Sequence, residues 1–93
     1  MRARVVSAWW FQTREVWAVE IDDLEGLFRG GQQVTFTLED ETAGPFLIRS
    51  VEMSDHRLEG TSYVALTIQA ARKRGLDRFI HGVVEATDPQ TMT

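Results

Sequence analysis

The 93-residue chain contains no cysteine, which removes disulfides, thiolate zinc sites and cysteine nucleophiles together and fits a reducing compartment. The expected location is therefore the cytoplasm. No apolar run reaches the roughly 18–20 residues that a membrane span needs, and the opening MRARVVSAWWF has too short an apolar stretch to predict a signal peptide. Asparagine is absent and arginine outnumbers lysine nine to one, a compositional bias to which no function is attached. There is no internal repeat and no low-complexity tract. No GxxxxGK[ST] phosphate loop occurs, which excludes GTP hydrolysis by this chain. No serine stands in a Gly-x-Ser-x-Gly context, so an activated nucleophile is not visible.

What is present suits one small globular domain over residues 1–93. Hydrophobic residues make up 43% of the chain and charged residues 26%, near the averages for a domain that buries a core. A chain this short buries only roughly 60–65% of its unfolded surface, so self-association would help its thin stability margin. The formal net charge of −4 opposes binding to phosphate backbones, which depends on basic surfaces releasing counterions. Most of that charge lies between Glu39 and Glu59, with six acidic and two basic residues. A basic knot of Arg72, Lys73, Arg74 and Arg78 follows near the C-terminus.

Period-two alternation dominates. Trp17, Val19 and Ile21 share one face of Glu15–Ile21, with Val16, Ala18 and Glu20 opposite. Val34, Phe36 and Leu38 alternate with Thr35 and Thr37, and Val64, Leu66 and Ile68 alternate with Tyr63, Ala65 and Thr67. Arg4–Phe11, Pro45–Met53 and Gly82–Ala86 complete six predicted strands. Polar or glycine-containing stretches at Asp22–Gly26, Gly30-Gly31, Glu39–Gly44 and Ser54–Gly60 predict the turns between them. Helix is scarce. Leu76, Phe79 and Ile80 can seat one helical turn on a core, and Gly75 disfavours a longer helix through the arginine-rich stretch. Many short strands without a βαβ rhythm predict an all-β fold closed into a small barrel. Residues 87–93 read as a flexible tail.

Three stretches carry a family resemblance: EGLFRGGQQVTFTL at Glu25–Leu38, LIRSVEM at Leu47–Met53, and SYVALTIQAARKRGLDRFIHGVVEA at Ser62–Ala86. Together they resemble the second domain of elongation factor Tu and related translation GTPases, over a span from about Val5 to Pro89. The family's glycine, apolar pair, basic residue, glycine and polar pair before a strand are matched by Gly26, Leu27, Phe28, Arg29, Gly31, Gln32 and Gln33. Its later Val-Glu-Met is matched by Val51, Glu52 and Met53. The resemblance implies a six-stranded antiparallel Greek-key β-barrel. It also implies a candidate contact with the terminal adenosine of tRNA at Glu52. At the same edge Asp55 falls near a basic position of the family and Tyr63 near an asparagine, which moves this chain away from tRNA.

Among side chains that bear chemistry, Asp55, His56, Glu52 and Glu59 cluster in sequence but lack any metal-ligand spacing, so no metal or cofactor is expected. His81 reads as a partly buried side chain with one backbone partner. The carboxylates at Asp22, Asp23 and Glu25 and at Glu39–Glu41 read as solvated turn acids. Trp9, Trp10 and Phe11 are more informative. Adjacent residues of a strand point to opposite faces, so one of the two tryptophans lies outside the barrel. For base stacking, Arg14 is the only basic residue close to them in sequence. The leading expectation is a non-catalytic module for protein–protein contact or homodimerisation through an aromatic surface at Trp9 and Trp10. The alternative is an accessory RNA or tRNA-end binder using Glu52, Tyr63, Arg72, Lys73 and Arg74. A small-molecule or metal-dependent enzyme is a third possibility.

Overall fold

The computed structural model describes residues 1–56 and 60–86. The chain order is β1 (Arg2–Phe11), β2 (Val16–Glu25), β3 (Gln33–Leu38), β4 (Glu41–His56), β5 (Thr61–Gln69), two 3₁₀ turns η1 (Arg72–Arg74) and η2 (Leu76–Phe79), and β6 (Val83–Ala86). All strand pairs are antiparallel, and they close a ring in the order β1-β2-β5-β4-β3-β6. The six expected strands and their closure are thus observed. Residues 57–59 and the expected tail at 87–93 lie outside the described residues.

The inward rows meet as the alternation requires. Trp17, Val19 and Ile21 from β2, Val34 and Phe36 from β3, Leu66 and Ile68 from β5, and Val84 from β6 are buried in one core. Leu76 and Phe79 of η2 join the same core, with the Phe79 and Phe36 rings 5.9 Å apart. No long helix forms in the arginine-rich stretch because Gly75 takes a left-handed φ of 60° and splits it into the two short turns. A side chain there would favour neither turn.

Five expectations about turns and side chains are corrected. Asp22–Gly26 is not a turn: β2 runs on to Glu25 because β1 lies alongside it, Arg2 opposite Glu25 and Arg4 opposite Asp22. The Arg4 guanidinium clamps the Asp22 carboxylate with two hydrogen bonds of 2.9 and 2.7 Å, so that acid is paired rather than merely solvated. The turn expected at Glu39–Gly44 shrinks to Glu39-Asp40, and Gly44 sits inside β4 at a bulge, with φ 129°. A Cβ at Gly44 would lie 2.8 Å from the Val34 carbonyl oxygen, so close strand approach requires glycine there. Ser54 continues β4, which reaches His56. His81 is exposed rather than partly buried; its left-handed φ of 78° turns the chain, and its N–H donates to the Val5 carbonyl.

Candidate functional site

A bulge decides which aromatics face outward. The β1–β2 register slips between Val5 and Ser7, so Val6 is the extra residue; Ala3 and Val5 point inward before it, Ala8 and Trp10 after it. Ser7, Trp9 and Phe11 therefore share the outer face. Trp9 is 42% exposed and Phe11 37%, whereas Trp10 packs edge-to-face on Trp17 with ring centroids 5.9 Å apart. Of the two candidate tryptophans, Trp9 is the outward one.

On that outer face the neighbouring strands present small residues. Trp9 lies opposite Ala18 of β2, and Ala65 and Thr67 of β5 follow across the sheet. The result is a groove of about 190 Å³ with Ala18, Ala65 and Thr67 as floor. Trp9 and Phe11 form one wall, and Glu52, Met53 and Ser54 of β4 form the other. Arg14, from the β1–β2 turn, closes one end: its guanidinium lies 5.6 Å from the Phe11 ring centroid and 3.1 Å from the Glu52 carboxylate. Arg14 and the Ser50 hydroxyl, 2.7 Å away, both donate to that carboxylate. They hold the Glu52 carboxyl below its usual range, the arginine being the larger cause.

The alternation of β2 predicts one buried face, yet Val16, Ala18 and Glu20 on the outer face are buried as well. Glu20 is only 2% exposed; the Ser7 hydroxyl donates to it at 2.6 Å, and the Ser54 hydroxyl, from two strands away, donates to its other oxygen. This carboxylate thus ties β1, β2 and β4 together beside the groove.

A second, more open cleft of about 380 Å³ lies near the same end of β1. Ala8, Trp9, Trp10 and Trp17 line it together with Arg72, Gly75 and Asp77 of the 3₁₀ segment. The Trp17 indole donates to the Ala71 carbonyl at 3.1 Å, which ties this segment to the barrel. Arg14 is therefore not the only basic residue near the tryptophans: folding brings Arg72 beside Trp10.

The residues expected to act on RNA do not form one site. Glu52 belongs to the Trp9 groove and Arg72 to the Trp10 cleft. Tyr63, half-buried opposite Ser54, sits near the start of β5, whereas Arg72, Lys73 and Arg74 follow its far end. Gln69 is six residue steps along the strand from Tyr63, a span of roughly 20 Å. Lys73 is exposed, and the Arg74 guanidinium lies 5.9 Å from the Phe46 ring centroid. The side chains of Asp55 and His56, and residue Glu59, lie outside the described residues. Among the described residues no group of three histidine or carboxylate side chains is placed to hold a metal ion. No helix among them is long and apolar enough to cross a membrane.

Sequence reasoning placed Phe11 on the parity of Trp9 and Arg14 close to it, but missed Met53 and the pairing of Arg14 with Glu52. Met53, in another hairpin, and the Arg14–Glu52 pair depend on how β4 crosses to β1. Comparison with protein-family models, with curated proteins and with solved structures finds no match to this chain.

Proposed function

We propose that this protein is a non-catalytic binding module whose outer-face groove receives an apolar side chain of another polypeptide. The observation that carries the reading is the placement of exposed Trp9 and Phe11 beside a floor of alanines. Large exposed apolar side chains around a recess are the composition of an interaction hot spot. The Arg14–Glu52 pair at the rim offers both a donor and an acceptor to a partner's main chain. We also propose that the barrel is of the Greek-key kind found in the second domain of translation GTPases. The ring order, which is not sequential, and the loop matched by Gly26–Gln33 before β3 support that reading.

The test is selection of peptides from a displayed random library on the intact protein, followed by titration of the selected peptides into the wild type and Trp9→Ala. Enrichment of peptides with a bulky apolar residue, and at least tenfold weaker binding to Trp9→Ala, are expected. Selected peptides that bind Trp9→Ala unchanged would overturn the groove as the site.

One observation favours a second reading, RNA binding: Arg72 and Trp10 share the larger cleft, the pairing of cation and aromatic that stacks a base. A fluorescent single-stranded RNA titrated at two salt concentrations tests it. Salt-sensitive binding lost in Arg72→Glu would support this reading, and absence of binding at low salt would reject it.

A further inference from the structure

β4 is longer than anything that pairs with it on one flank. Toward β5 its ladder continues to His56 opposite Thr61, but toward β3 it ends at Leu47 opposite Gln33. The loop before β3 adds one more step: the Gly31 N–H donates to the Ile48 carbonyl at 2.8 Å, and the Ile48 N–H donates to the Gln32 carbonyl at 2.9 Å. Beyond Ile48, no described strand lies on that edge.

These bonds establish which backbone groups point outward. Both polar groups of Ile48 aim away from β5, and in an antiparallel ladder alternate residues do the same. The register slip between Ile48 and Ser50 inserts one residue, so the outward phase passes to Val51, Met53 and Asp55. Among the described residues no strand fills the ladder of their N–H and C=O groups. Val51 and Met53 pair with Leu66 and Val64 on the barrel's inner side, yet beyond the end of β3 they are 38% and 66% exposed. Edges of this kind are ordinarily blunted by proline, charged side chains or a bulge; Val51–Asp55 has no proline, lysine or bulge within it, and of its two acids Glu52 is already paired with Arg14.

We propose that this edge joins two copies of the chain, β4 to β4 antiparallel about a two-fold axis at Met53, independently of what the groove receives. The occupant is a second copy because the run complements itself. Reversed end for end, it places Met53 beside Met53 of the second copy and Glu52 opposite Ser54 of the second copy, a carboxylate facing a hydroxyl rather than a like charge. The chain carries a net charge of −4, but Arg14 pairs with Glu52 at this edge and Asp55 falls opposite Val51 of the second copy, so no two acids stand directly opposite each other within the run. The outward phases of the two strands coincide in this register, so each copy fills the other's ladder.

The chain has no cysteine, so Met53→Cys introduces its only thiol. Paired at the axis, two such residues have Cα atoms about 5.5 Å apart, within disulfide reach. Mild oxidation at micromolar concentration is expected to convert Met53→Cys mostly to a covalent dimer, while Glu85→Cys, exposed on β6, stays monomeric. Sedimentation equilibrium is expected to show a wild-type dimer that weakens at least tenfold in Met53→Pro, which lacks the N–H, and persists in Trp9→Ala. A wild type that stays monomeric up to millimolar concentration would overturn the proposal. So would equal cross-linking at positions 53 and 85, or a dimer lost in Trp9→Ala and kept in Met53→Pro. Circular dichroism checks that Met53→Pro folds; if it does not, the cross-linking comparison decides.

Discussion

The two faces of β2 are both buried, but by different means. The inner face sets Trp17, Val19 and Ile21 against large side chains from β3, β5, β6 and η2, and the packing is filled. The outer face has Ala18 under the overhang of Trp9 and Glu20 under two serine hydroxyls, with a groove left open above the alanine. Burial alone does not distinguish a core from a site. The difference is volume: the inner row fills its space, whereas the outer row is too small for the walls around it.

That contrast can be broken most severely at adjacent residues. Val19→Ala removes two methyl groups from the filled side and is expected to cost about 2–3 kcal/mol of stability in urea unfolding. Ala18→Leu adds atoms to the open side and is expected to cost less than about 1 kcal/mol, because the groove accommodates them, while abolishing binding of any peptide selected on Trp9. Equal losses at the two positions would show that the outer face is packed like the inner one.

Glu20→Ala leaves the Ser7 and Ser54 hydroxyls without their acceptor and is expected to cost about 1–2 kcal/mol, measured the same way. The smallest expected effect is at the rim. Arg14→Ala should cost under about 1 kcal/mol, because the Arg14–Glu52 pair is close to half exposed and screened by solvent. Its sign with pH is determined by the lowered Glu52 carboxyl: the stabilisation is present above the ordinary glutamate pKa of about 4.3 and is lost as pH falls through the lower folded-state value. Wild type and Arg14→Ala should therefore differ at neutral pH and converge in acid, as read from thermal melts at a series of pH values.

The inner rows were legible because alternation of Trp17, Val19 and Ile21, of Val34 and Phe36, and of Leu66 and Ile68 is a direct consequence of strand geometry. Strand ends were less legible. Asp22–Glu25 has turn composition, and the alongside run of Arg2 and Arg4 overrides it. The site was half legible: Trp9, Trp10 and Glu52 stood out as residue types, but their grouping did not follow the sequence. Trp9 borders both recesses, Glu52 lines one and Trp10 with Arg72 the other, and Tyr63 lies apart from the basic turn.

The sequence by itself determined that this chain is an all-β barrel and which side chains line its interior, because period-two hydrophobicity assigns the large apolar side chains of each strand to one face. Tertiary structure alone decided which tryptophan faces solvent, since one bulged residue at Val6 changes the phase of everything after it. It also decided that β4 outruns its neighbour, because the length of a ladder depends on both strands.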